Sequence, residues 1–138
     1  MLLAVVTVVG LPAGNVLAAS SPFTNFKLTT VPNSESYKDI VAKKKADNEQ
    51  NWYVTLTSSK NLGTNGEPRA ILTSATSIEN ASCSASKLGL YKNMSGIQKM
   101  RYPSSPKVKK GTVCRLFVTG NNNISKRYTI TLSGRYTS

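Results

Sequence analysis

The sequence predicts an all-β protein: a small antiparallel β-sandwich of about six to eight strands, locked by one disulfide and preceded by a signal peptide. Three observations carry this. Short runs place apolar residues at alternate positions, as a half-buried strand requires. Asn, Gly and Pro signals separate the runs at regular spacing. No long stretch repeats its apolar residues with a helical period.

The first twenty residues stand apart. Met1 to Val9 is apolar except for Thr7, and Val16-Leu17-Ala18-Ala19 supplies the small and apolar residues of a cleavage site. The run is short for a bilayer span. No Lys or Arg precedes it, so the reading rests on the apolar stretch and the cleavage pattern. Residues 1–18 are read as a signal peptide and 19–138 as one secreted domain.

Strands are expected in order along that domain. Phe23–Thr30 carries Phe26 and Leu28 on one side. In 52–57, Trp52, Val54 and Leu56 alternate with Tyr53, Thr55 and Thr57. Trp52 shares its face with Val54 and Leu56 and so reads as a core anchor. Ala70–Thr76 centres on Ile71 and Leu72, and Lys87–Tyr91 carries Gly89, a mark of a bulge or edge. Thr112–Thr119 puts Cys114, Leu116 and Val118 on one face and Arg115 on the other. Arg127–Tyr136 puts Tyr128, Ile130 and Leu132 opposite Arg127, Thr129, Thr131, Ser133 and Arg135. That division fits sheets packed on one side and wet on the other. Asn65-Gly66 and the Gly120–Asn123 run mark turns. Glu35–Asn51 breaks the pattern: it holds four of the six acids and the Lys43-Lys44-Lys45 run, and its thin apolar stripe predicts a loop with some helix.

Export gives the cysteine count meaning. There are two, Cys83 and Cys114, and exported pairs are usually oxidised. A bridge closing about 30 residues stabilises by roughly 3–4 kcal/mol in the chain-entropy model. Two cysteines without a histidine make a poor metal site, so no metal is expected.

Charge is the strongest functional signal. The chain has 18 Lys and Arg against 6 Asp and Glu, a net charge of +12. From Cys83 to Ser138 there is no acid at all. Positive charge of that extent attracts anions over about a Debye length, roughly 8–10 Å, whereas a surface built for solubility mixes signs. The residues chosen as a polyanion-binding face are Lys107, Lys109 and Lys110, beside Pro103 and Pro106, together with Arg115, Arg127 and Arg135. Tyr91, Tyr102, Tyr128 and Tyr136 lie among the cations. They suit stacking on bases or sugars as well as ordinary sheet packing.

Catalysis is not expected. With no histidine, the usual base near neutral pH is missing. Glu67 and Glu79 lie outside the acid-rich segment and are the carboxylate pair that could converge for hydrolysis. No phosphate-cradling glycine loop and no calcium loop appear, so no cofactor is expected.

One resemblance follows from the residues. The leader, the Trp-Tyr-Val-Thr-Leu-Thr strand at 52–57, the Lys-Lys-Gly-Thr-Val-Cys-Arg-Leu segment at 109–116 and the closing Tyr128, Ser133, Gly134 and Tyr136 together resemble an uncharacterised family of small secreted proteins of Gram-positive bacteria. More distantly the chain is similar to lactococcin-972-like bacteriocins. The likeness runs from about residue 23 to residue 138. It implies an extracellular β-sandwich encoded beside an export or immunity transporter, and it supplies no catalytic residue. The expected function is therefore a secreted, cationic, non-enzymatic protein that docks on an anionic cell-wall polymer or membrane surface, with bacteriocin-like action. The alternative is an extracellular adhesive or structural module for polyanions, glycans or a protein partner. Nucleic acid ranks below these because the chain reads as exported.

Overall fold

The computed structural model describes residues 20–84 and 86–138; the signal peptide expected at 1–18 lies outside the described residues. The described residues form eight strands: β1 (Ser21–Thr29), β2 (Lys38–Lys44), β3 (Asn51–Lys60), β4 (Ala70–Ala75), β5 (Lys87–Leu90), β6 (Gln98–Arg101), β7 (Val113–Gly120) and β8 (Thr129–Thr137). One short helix, α1 (Ile78–Cys83), follows β4. Two four-stranded sheets result, with orders β1-β8-β3-β6 and β2-β7-β4-β5, and every pairing is antiparallel.

The alternation read in the sequence decides what each strand buries. Trp52 and Val54 of β3 and Ile130, Leu132 and Tyr136 of β8 fill the space between the sheets from one side. Leu72 of β4, Leu90 of β5, and Cys114, Leu116 and Val118 of β7 fill it from the other. Burying each large apolar side chain contributes about 1.5–3 kcal/mol, so this interleaved layer dominates the fold. The Trp52 indole donates to Ser86 Oγ at 3.1 Å, which satisfies its one polar atom inside the core. Gly134 occupies an inward position where a Cβ would lie 2.3 Å from the Thr55 carbonyl oxygen and 2.8 Å from the Phe23 ring. Only glycine lets β8 and β3 approach that closely there.

Sequence and structure part at three elements. Residues 38–44, expected as loop with some helix, are the edge strand β2. Its register shifts between Asp39 and Val41, and such a bulge erases the period-two signal. Its lysines suit a sheet edge, where charge discourages pairing with other chains. The second is β6, which has four residues and one half-buried apolar side chain, Met100. The third is α1, capped by Ser77, whose hydroxyl accepts from the Asn80 N–H at 3.3 Å.

The expected Cys83–Cys114 disulfide is corrected. Both cysteines are free, Cys83 exposed and Cys114 buried. Alternation on β7 turns Cys114 inward with Leu116 and Val118. The helix carrying Cys83 packs instead on the outer face of the same sheet, where Ala81 meets Ala75 and Phe117. A bridge needs Cβ atoms about 3.5–4.5 Å apart on converging vectors. Two cysteines serving opposite faces of one sheet do not offer that.

Candidate functional site: a lysine-rich end of the sandwich

Antiparallel pairing gathers particular strand ends. The C-terminal end of β2, the N-terminal end of β7, the chain entering β3 and the chain leaving β6 meet at one end of the sandwich. There the Lys43–Lys45 run, at the close of β2, meets the loop before β7. The Lys45 N–H donates to Thr112 O at 2.9 Å, and the Gly111 N–H donates back to Lys45 O at 2.9 Å. Gly111 takes a positive φ of 87°, so the loop turns there without strain. Asn48 Oδ1 accepts from the Lys110 N–H at 2.9 Å. Gln50 brackets Val108, its amide donating to the carbonyl at 2.8 Å and its oxygen accepting from the N–H at 2.9 Å. Two segments some sixty residues apart in sequence thus become one cross-linked platform. It presents Lys44, Lys107, Lys109 and Lys110 to solvent, with Lys43 half-buried beside them.

Beneath the platform lies a buried polar cluster. Lys45 is only 2% exposed. Its Nζ sits 3.2 Å from Asp47 Oδ1 and 5.3 Å from the centroid of the Tyr102 ring, so an ion pair and a cation–π contact compensate its burial. Ser74 Oγ shares hydrogen bonds with the Tyr102 hydroxyl at 2.9 Å and the Tyr136 hydroxyl at 2.6 Å. Burial, first, and the neighbouring Tyr136 hold the Tyr102 phenol far above its ordinary range. Burial does the same for Tyr136, and it pushes the Cys114 thiol up. All three groups are neutral at physiological pH. A cavity of about 390 Å³ opens over this cluster, lined by Tyr102, Pro103, Pro106 and Val108, with Lys107 and Lys109 among its walls.

The few acids hardly neutralise this end. Asp47 is taken up by buried Lys45. Glu49 lies 3.5 Å from Lys99 Nζ. Hydrogen bonds from the Tyr53 hydroxyl, first, and the Asn51 amide hold its carboxyl below the usual carboxylate range. Among the described residues, Lys43, Lys44, Lys107, Lys109 and Lys110 take part in no ion pair.

The six residues chosen from the sequence do not form one face. Lys107, Lys109 and Lys110 lie together on the platform. Arg115 lies on the outer face of its own sheet, opposite Ala42 and Ala75, and pairs with Asp39. Arg135 lies on the outer face of the other sheet, opposite Pro22 and Thr55, and donates to Ser20 Oγ at 3.3 Å. Arg127 precedes β8 at the far end, about 25 Å away along β7 by the rise of a strand. What the sequence reading left out was Lys43–Lys45. The run was visible, but nothing local joined it to residues 107–112.

Glu67 and Glu79 do not converge. Glu67 precedes β4 and Glu79 follows it, so that strand separates them by about 20 Å. Among the described residues no cluster of three or more His, Cys, Asp or Glu could hold a metal ion, and no helix is long and apolar enough to cross a membrane. No protein-family model, curated protein or solved structure matches the chain.

Proposed function

We propose that the chain is a secreted, cationic, non-enzymatic protein that binds an anionic bacterial surface through the lysine platform at one end of its sandwich. The observation that supports this reading most strongly is the hydrogen-bonded junction of residues 43–48 with residues 107–112. It concentrates lysines in no ion pair on a backbone that needs no ordering on contact. Binding by preordered groups forfeits less conformational entropy. Each lysine near an acidic surface contributes about 1 kcal/mol, so four or five together supply about 4–5 kcal/mol, a dissociation constant of roughly a millimolar or somewhat below. Export rests on the apolar leader and its cleavage pattern. The resemblance to lactococcin-972-like proteins extends the reading to bacteriocin-like action on related cells.

The test is binding of the mature protein to anionic vesicles and to teichoic acid across a salt series. Association is expected to weaken steeply as salt shortens the screening length. Binding that is unchanged from low to high salt contradicts an electrostatic dock.

A further inference from the structure

The end of the sandwich opposite the lysine platform holds a second cavity, of about 350 Å³. Three connections build it: residues 61–69 between β3 and β4, residues 91–97 between β5 and β6, and residues 121–128 between β7 and β8. They are tied to one another. The Asn61 amide donates to Thr129 O at 2.8 Å and the Asn121 amide to Pro68 O at 2.7 Å. The Asn121 N–H donates to Arg69 O at 3.1 Å and the Lys92 N–H to Gly63 O at 2.9 Å. A Cβ on Gly63 would lie 1.9 Å from the Glu67 carbonyl oxygen, so glycine alone permits the fold of this wall. The cavity is preformed, as small-molecule sites usually are.

Its chemistry is mixed. The Arg69 guanidinium lies 3.7 Å from the centroid of the Tyr128 ring, and its Nη1 donates to Asn61 O at 3.1 Å. The stack and the bond fix the guanidinium plane while other N–H groups of its fork remain available. Lys92 and Glu67 line the same cavity, and among the described residues neither takes part in an ion pair. Asn123 and Ser125 add neutral hydrogen-bonding groups. Two cations and one carboxylate, none of them in an ion pair among the described residues, line one hollow with several neutral polar groups.

We propose that this cavity binds an acidic sugar unit of the hexuronate type. Arg69 and Lys92 take the ligand carboxylate. Glu67 accepts hydrogen bonds from ring hydroxyls, and Asn123 and Ser125 bond the remaining hydroxyls. Inorganic phosphate satisfies the cations but brings its own charged oxygens against the Glu67 carboxylate, and it lacks the ring hydroxyls that Asn123 and Ser125 would bond. A neutral sugar satisfies Glu67 but leaves both cations unanswered. A ligand carrying one carboxylate and several hydroxyls satisfies both halves. The site is independent of the lysine platform.

The test is an amide-shift titration of the labelled mature protein with a galacturonic acid trisaccharide, its methyl ester and inorganic phosphate. The acid is expected to shift resonances within residues 62–69, 91–95 and 121–128. Its methyl ester should bind about tenfold more weakly, the loss of one charge-assisted contact. Glu67→Gln, an exposed change, should weaken the trisaccharide by about as much and leave phosphate no weaker. Replacing Lys107, Lys109 and Lys110 by alanine should leave the trisaccharide affinity unchanged. Equal binding of acid and ester, phosphate binding as tightly as the trisaccharide, shifts centred on residues 107–112, or no shifts at all would each overturn the proposal.

Discussion

Replacing Lys107, Lys109 and Lys110 together by alanine is expected to weaken binding to an anionic surface by two orders of magnitude at low salt. The estimate takes about 1 kcal/mol per lysine near an acidic surface, with about 1.4 kcal/mol per factor of ten. Adding Lys44→Ala should deepen the loss by about fivefold on the same scale, because β2 delivers Lys44 to the same platform. Arg115→Ala and Arg135→Ala, each removing one positive charge, serve as controls to be compared per charge removed. Arg115 is already paired with Asp39 on one outer face, and Arg135 stands on the other. Each should change affinity by only a few-fold, through net charge alone. All of these side chains are exposed, so the variants should melt close to the parent. Equal losses per charge removed for the arginine and lysine variants would mean that net charge, and not the platform, carries the binding.

A second large effect is expected in alkali. Tyr102 and Tyr136 are held protonated chiefly by burial, against an ordinary phenol value of 10.0. An unfolded chain releases both protons near that pH, while the folded chain keeps them. Above it the native state therefore binds more protons than the unfolded state. The stabilisation is fully present below pH 10.0 and is lost as pH rises toward the raised native values. The limiting slope is about 1.4 kcal/mol per pH unit for each tyrosine, doubled for the pair. Urea midpoints measured from neutral pH into alkali should fall steeply. Tyr136→Phe should remove about half of the fall attributable to the pair, and the comparison cancels the parallel titration of surface lysines. At neutral pH the same change should cost about 1 kcal/mol, the net worth of the hydroxyl's bond to Ser74. Stability that stays level above pH 10, with Tyr136→Phe indistinguishable from the parent, would refute the buried-phenol account.

Most of the sandwich was legible because its strands alternate cleanly. Trp52-Val54, Leu116-Val118 and Ile130-Leu132 each announce an inward face, and each is buried as read. The misses have local causes. The bulge in β2 breaks alternation between Asp39 and Val41, and β6 is too short to show a period. Helix α1 rests on a serine cap and one buried alanine, a pattern too slight to stand out among Ser- and Asn-rich loops. The disulfide failed for another reason. Counting cysteines says nothing of which face of a sheet each one serves, and parity along β7 turns Cys114 away from the helix that carries Cys83.

The candidate site was half legible. Lys107, Lys109 and Lys110 stood out beside two prolines in an acid-free stretch. Their partners Lys43–Lys45 join them through the pairing of β2 with β7 and the Asn48 and Gln50 bonds beyond it, contacts between distant segments with no local trace. The arginines were grouped by sharing strands with core residues. Alternation does place Arg115 and Arg135 outward, but on opposite sheets, and strand order is not written in either strand alone.

The central claim is that residues 43–48 and 107–112 act as one anion-binding surface, and an amide-shift map of the labelled protein with a short polyphosphate tests it most directly. Both segments should shift together with one affinity and lose their shifts together in high salt. Shifts centred on the outer faces around Arg115 and Arg135, or spread evenly over the molecule, would contradict it.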